Sequence, residues 1–196
     1  MKKVYVNKKR LGVSIIIIGL IMIMFCIQRN CQDRMKMTSL MQGNIKSLAE
    51  YNIDKQNISY KLPDKWTTEE EKFSGYEIVY HNNFQSSDLK IHGLVQVWNI
   101  NKDLKRFLDE SKYISERQNE VSDYNIKEVN VNKNKGFYVS YVITNKDGKN
   151  INCYEYFIKG NDRIIRFSFF VIQDKLKENM PTIFRNIVNT LECNKK

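Results

Sequence analysis

The chain has 196 residues, 42% of them hydrophobic and 12% aromatic, with a formal net charge of +10. This composition excludes a disordered chain, and after a short anchor it leaves room for one domain of roughly 140 residues around a single core. The charge does not indicate nucleic-acid binding: Lys2, Lys3, Lys8, Lys9 and Arg10 carry half of the excess, and residues 57–196 set 22 basic side chains against 19 acidic ones. A nucleic-acid binder would concentrate its excess on the folded domain, so no nucleic-acid partner is expected.

Residues 1–10 read as a basic cytoplasmic tail and residues 11–27, LGVSIIIIGLIMIMFCI, as a transmembrane helix. Seventeen uncharged residues at the α-helical rise make roughly 26 Å, short for a span but extended by snorkelling of Arg10 and Arg29. The segment has no polar face, unlike the amphipathic helices of soluble domains. A cleaved signal peptide would need small residues after its apolar core, yet Gln28-Arg29-Asn30 follow Cys26-Ile27 and the first alanine is Ala49. Phe25 before Cys26 does not suit a lipoprotein signal. The basic residues before the span outnumber Arg29, Arg34 and Lys36 after it, which predicts a cytoplasmic N-terminus and an extracytoplasmic C-terminal domain. The bilayer is then the first expected partner, through residues 11–27.

Residues 28–56 read as a juxtamembrane spacer, either a short amphipathic helix near the bilayer or a stalk. From Asn57 the pattern sharpens. Ile58, Tyr60 and Leu62 alternate up to Pro63, Trp66 sits in the turn that follows, and residues 76–80 and 89–98 alternate again. Gly93 marks a bulge or a close backbone approach. Asp103 opens a helix whose apolar side carries Leu104, Phe107, Leu108 and Ser111 and continues to Ile114. Ile126, Val129 and Val131 suggest a short strand. Three strands follow at 136–144, 151–158 and 163–172, separated by turns rich in Asn, Asp and Gly. Ile165, Phe167, Phe169 and Val171 share a face of the last. A closing helix from about 174 to 192 aligns Leu176, Met180, Ile183, Phe184, Ile187, Val188 and Leu191; with Pro181 marking its first turn, 174–180 becomes a separate lead-in. This order predicts an α+β fold, an antiparallel sheet with flanking helices, and lays Ile183, Ile187 and Leu191 on the face of Phe167 and Phe169.

Three features of residues 57–193 resemble a known family. They are the strand Ile58-Ser59-Tyr60-Lys61-Leu62 running into Pro63-Asp64-Lys65-Trp66, the Gly93–Val97 strand followed by the 104–114 helix, and the Gly136–Tyr141 hairpin with its closing helix. The combination is similar to PsbP-like proteins, in particular the membrane-anchored PsbP-related proteins of bacteria. The resemblance implies an antiparallel sheet with flanking helices and an accessory or binding role. It carries over no functional residue, since the matching positions are structural.

No catalytic, cofactor or metal constellation is legible. His81, at a strand end, and His92, on the polar side of a strand, lack the converging partners a metal needs. Glu69-Glu70-Glu71 reads as a solvated loop. Ser59 and Ser168 have no His/Asp partners by pattern. Cys153 and Cys193 read as core thiols, with a bridge between them open to an oxidising compartment. Tyr138, Tyr154 and Tyr156 are the candidate partner-binding residues: opposite Phe167 and Phe169 they would form an aromatic strip for an envelope protein or glycan, and packing under a helix is the more ordinary fate of strand tyrosines. The expectation is a non-enzymatic, membrane-anchored accessory or binding module of the bacterial envelope. The alternative is an envelope-associated enzyme such as a hydrolase, with a site assembled from scattered residues.

Overall fold

The computed structural model describes residues 14, 16–25, 38, 40, 41, 43–54, 57–86, 88–100, 102–118, 120–160 and 163–193. The tail 1–10, Cys26, Cys31 and the spacer over 28–37 lie outside them. Residues 16–25 are helical. No helix among the described residues is long and apolar enough to cross a membrane.

In chain order the folded part runs β1 (Leu48–Ile53), β2 (Ile58–Pro63), β3 (Thr67–Glu70), β4 (Ile78–Ser86), β5 (Ile91–Trp98), α1 (Leu104–Gln118), β6 (Glu120–Val131), β7 (Asn134–Thr144), β8 (Asn150–Gly160), β9 (Arg163–Ile172), a 3-10 turn (Gln173–Lys175), α2 (Met180–Val188) and β10 (Glu192–Cys193). Seven strands form one sheet in the order β3-β4-β5-β9-β8-β7-β6, and β1-β2-β10 form a second. All neighbours are antiparallel.

The large sheet is covered on both faces, which is why its central strands are apolar along most of their length. One face carries Val95, Ile165, Phe167 and Phe169, all fully buried under α2 and the small sheet. Ile183, Phe184, Ile187 and Leu191 pack into it as the helical spacing predicts, with Phe184 stacked on Phe169 at a centroid distance of 4.4 Å. Tyr60 of β2 meets Phe167 edge-on at 5.7 Å, and Trp66 stacks on Phe84 at 5.3 Å, so the Pro63–Trp66 turn plugs one end of this core. The other face packs Val139, Cys153, Phe157 and Ile164 under α1 through Leu104 and Leu108.

The domain begins before Asn57. Strand β1 lies inside the stretch read as a spacer and pairs with β2 along its whole length. Ile45 is buried in the core, and a Cβ on Gly43 would come within 2.7 Å of Ile183. The run Leu48-Ala49-Glu50-Tyr51-Asn52-Ile53 hides its strand character because only one side of it is covered. Residues 81–86, His-Asn-Asn-Phe-Gln-Ser, were likewise not legible as strand, yet they complete β4. The Glu69–Glu71 run is not a loop at its start: β3 includes Glu69 and Glu70 as an exposed edge strand.

Helix α1 opens as its sequence suggests, Asp103 Oδ1 accepting the Arg106 N–H at 3.1 Å. Its inward line then runs through the buried Leu104 and Leu108 to the half-buried Ser111 and Ser115, while Ile114 falls beside that ridge and is 53% exposed. Strand β6 is twelve residues long, well beyond the short run expected. It turns into β7 through Asn132 and Lys133, both at positive φ (44° and 72°), the geometry of a two-residue type I′ hairpin. Asn132 also donates its amide to the carbonyls of Asn189 and Leu191, fastening this turn to the end of α2.

Gly93 is a close approach rather than a bulge, since β5 keeps regular register with β4 and β9 through it. A Cβ there would sit 2.2 Å from the Phe84 ring and 2.3 Å from the Ser168 carbonyl oxygen. Gly93→Ala is therefore expected to cost about 1–3 kcal/mol or more through overpacking against a backbone that cannot yield. A urea midpoint unchanged from wild type would contradict this packing.

Candidate functional site

The three tyrosines do not face away from the aromatic core. The β8–β9 register sets Tyr154 opposite Phe169 and Tyr156 opposite Phe167, so they share that face. Tyr154 packs on Phe184 at 5.4 Å, Tyr156 is 4% exposed, and Tyr138 tilts against Tyr156 at 5.0 Å. They form core and its margin, the packing that strand tyrosines ordinarily find, and not an open strip. The parity was misjudged because β8 alternates aromatic and polar residues on both sides: Tyr154, Tyr156 and Ile158 point one way, Cys153, Glu155 and Phe157 the other.

That second side carries the unexpected chemistry. Glu155, 4% exposed, accepts from Arg166 and from Ser168 Oγ at 2.7 Å. Arg166 reaches on to Gln96 Oε1 at 3.3 Å, which also accepts from Trp98 Nε1 at 3.1 Å. Gln96 donates to His81 Nδ1 at 2.8 Å, His81 Nε2 meets Asn83 Oδ1 at 2.9 Å, and Asn83 donates to Glu71 at 2.6 Å. The two amides fix the His81 tautomer with its proton on Nε2. A continuous polar rail thus crosses β8, β9, β5 and β4 from a buried carboxylate to an exposed one.

Cross-strand register explains the rail: His81 stands opposite Gln96, Gln96 opposite Arg166, and Ser168 opposite Glu155. The burial of His81 corrects its reading as a strand-end residue; His92 is exposed, as expected of the polar side. Under α1 a cavity of about 20 Å3, bounded by Ser111, Ser115, Tyr124, Tyr141 and Glu155, has room for one water. A charged residue at an inward position of a strand buried on both faces was the available sequence signal for Glu155. The 81–86 half of the rail carried none.

Cys153 and Cys193 are free thiols packed in different layers, one under α1 and the other beside β2, so no bridge joins them. Burial pushes the Cys153 thiol up to about 12, and the buried Tyr60 hydroxyl likewise to about 12. Both values lie above the ordinary 9.0 and 10.0, so the folded state holds these protons more tightly than the unfolded chain. Their contribution is complete below pH 9 and falls as pH rises toward about 12. At full ionisation this amounts to about 4 kcal/mol for Cys153 and about 3 kcal/mol for Tyr60. Urea midpoints should fall steadily above about pH 9, with a shallower decline for Cys153→Ala. A flat profile would contradict the burial.

The exposed end of the rail opens on a groove of about 570 Å3 between the 71–77 connection and β4. Phe73 leans edge-on over His81 at 4.9 Å, closing the rail from solvent. Phe73 is itself 46% exposed, Val79 37% and Tyr76 94%. Tyr80 forms the floor: its hydroxyl lies 2.8 Å from that of Tyr60 and donates to Glu70 at 3.1 Å. Among the described residues no Lys or Arg pairs with Glu69, Glu70, Glu71 or Glu77. No cluster of three or more metal-binding side chains occurs among the described residues.

The architecture, an antiparallel sheet flanked by helices, is the PsbP-like α+β fold. The solution structure of the cyanobacterial PsbP of Synechocystis superposes with a TM-score of 0.59 at 14% identity, over 76% of this chain and 94% of that one. A Bacteroides thetaiotaomicron protein gives 0.53 at 13% identity over 75% of this chain, which spans about half (48%) of it. A Pseudomonas aeruginosa protein of unknown function aligns over 76% of this chain and 99% of its own, at 11% identity and a TM-score of 0.46. At these identities the first two, with TM-scores above 0.5, show the fold alone. No family model matches the chain, and no curated protein matches it.

Proposed function

We propose that the protein is a PsbP-related, single-pass membrane protein whose C-terminal domain is a non-catalytic accessory or binding module outside the cytoplasm. The observation that carries the binding reading is the β3–β4 groove. It leaves Tyr76 94% exposed, with Phe73 and Val79 beside it, on a floor tied by the hydrogen bond between Tyr80 and the buried Tyr60. Exposed aromatics on a rigid support are what recognition surfaces use, because little side-chain freedom is lost on contact. The PsbP-like fold supports an accessory role over the hydrolase alternative, and Ser168 and Glu155, both buried, are ill placed to meet a substrate. The membrane reading rests on the uncharged 11–27 segment and its basic N-terminal flank.

Two experiments test this. An impermeant maleimide should label Cys31 on intact cells, and labelling that needs lysis would reverse the orientation. A photoreactive benzoylphenylalanine in place of Tyr76 should give a discrete cross-linked adduct in those cells, and the same substitution at Tyr113 on α1 should not. Equal patterns at both sites would remove the groove as the binding surface.

A further inference from the structure

We infer that His81 is a proton-sensitive latch on the β3–β4 groove: a second proton on its ring breaks the bond to Gln96, drives the ring outward and lifts Phe73. The purpose of the latch rests on the binding reading above; the movement itself does not.

The singly protonated ring is wired from both ends. Gln96 Oε1 accepts from Trp98 Nε1 at 3.1 Å and from Arg166 at 3.3 Å. Both partners are donors only, so the Gln96 amide turns its NH2 group to His81 Nδ1, at 2.8 Å. Asn83 donates its own NH2 group to the Glu71 carboxylate, which only accepts, so its oxygen faces His81 Nε2 at 2.9 Å. A proton on Nε2 alone therefore satisfies every group along the rail. A second one, on Nδ1, points at the Gln96 NH2 group, donor against donor. Gln96 can offer its oxygen instead only by giving up both Trp98 and Arg166. His81 is 6% exposed, so solvent does not reach the ring to accept that proton in place.

The way out lies through Phe73, whose ring covers His81 edge-on at 4.9 Å. Phe73 belongs to neither apolar core, and the 71–77 connection that carries it has no regular structure. Backbone bonds hold the two ends of that connection, from the Glu71 N–H to the His81 carbonyl at 3.1 Å and from the Asn99 N–H to the Glu77 carbonyl at 2.6 Å. The charges around the ring set the direction. Inward, Arg166 of β9 reaches Gln96, with Glu155 of β8 behind it. Outward, Glu71 bonds Asn83, Glu69 of β3 stands opposite Asn83, and Lys72 and Glu77 lie farther along the connection. A cationic ring leaves a guanidinium behind and moves toward carboxylates.

The test uses the full chain in phosphatidylcholine nanodiscs, with 4-fluorophenylalanine at position 73 and 15N-labelled histidine, at about pH 8 and about pH 5. Histidine ordinarily changes charge between these values while carboxylates stay ionised. At the higher pH, His81 should show the nitrogen pattern of a neutral ring protonated on Nε2. At the lower pH it should carry two protons, and the position 73 fluorine should shift and broaden more strongly with a soluble nitroxide. Gln96→Glu sets a carboxylate oxygen against Nδ1 and so accepts the second proton in place. In that variant His81 should be doubly protonated at the lower pH with the fluorine unmoved. His81→Gln should also hold the fluorine fixed, and Gln96→Glu carries the comparison alone if His81→Gln does not fold. A wild-type His81 still neutral at about pH 5, a fluorine unmoved there, or the same fluorine shift in Gln96→Glu would overturn the latch. No partner is present in this experiment, so its failure is distinct from that of the binding reading, which the cross-linking at position 76 decides.

Discussion

A chain ending at Pro181 is expected to show no cooperative unfolding transition, although every strand of the large sheet remains in it. Ile183, Phe184, Ile187, Val188 and Leu191 are each fully buried, and they form the cover over Phe169 and its neighbours. Losing them exposes the central sheet face and also removes β10 from the edge of β2. Single changes grade the same effect. Ile187→Ala should cost about 2–5 kcal/mol, from lost transfer energy and the cavity left behind. Ile187→Asp should unfold the domain, because an unpaired charge in that position has no solvent and no partner. Against a domain stability of about 5–15 kcal/mol these are large fractions. Thermal unfolding of the full chain and of the shortened one decides the matter; equally sharp transitions would make α2 peripheral.

The second large effect concerns the pair under α1. Glu155→Ala leaves the half-buried Arg166, packed on Phe157 and bonded to Gln96, without its counter-charge, and is expected to cost about 3 kcal/mol, the low end for a buried pair because part of the guanidinium reaches solvent. Arg166→Met should cost a similar amount, since the carboxylate then keeps only neutral donors. Making both changes together, Glu155→Ala with Arg166→Met, should recover much of the loss, because replacing a whole ion pair by apolar residues is often close to neutral. Urea denaturation of the three variants forms a double-mutant cycle. Additive losses would mean that the pair does not act as a unit. The polar rail makes a further consequence measurable: freeing Arg166 also removes the constraint on Gln96, and through it on His81, so the His81 ring resonances should shift in Glu155→Ala.

Much of the architecture was legible because the informative stretches are buried on one or both sides. The meander of β7, β8 and β9 shows its first turn in Asn145–Lys149, and the stripe on α2 shows its period. Gly148 adopts φ 72°, and Asn145 Oδ1 caps the N–H groups of Asp147 and Lys149, which is the chemistry its composition suggests. Where the pattern failed, burial was produced by partners distant in sequence. Strand β1 is a strand because β2 supplies its ladder, and β4 extends through a polar run because its side chains join the rail. The type I′ turn at Asn132-Lys133 lacks the usual glycine, and its conformation is held by bonds from Asn132 to the end of α2.

The candidate site divides in the same way. Local sequence determined the elements and the pairing of hairpin neighbours, since alternation, helical period and turn residues act over a few positions. It also determined that Glu155, Arg166 and Ser168 would lie on strands. It did not determine which tyrosines would be core, because a period of two leaves the choice of face to the register of strands paired across the sheet. Nor did it show that His81 would be buried behind Phe73, or that Tyr76 would stand in water at the mouth of the groove. Those outcomes depend on β4 and β5 meeting β9, which begins more than sixty residues later in the chain. Only the tertiary structure brings the polar rail to an exposed edge, because its hydrogen bonds join side chains whose positions are set by strand order and not by proximity in sequence.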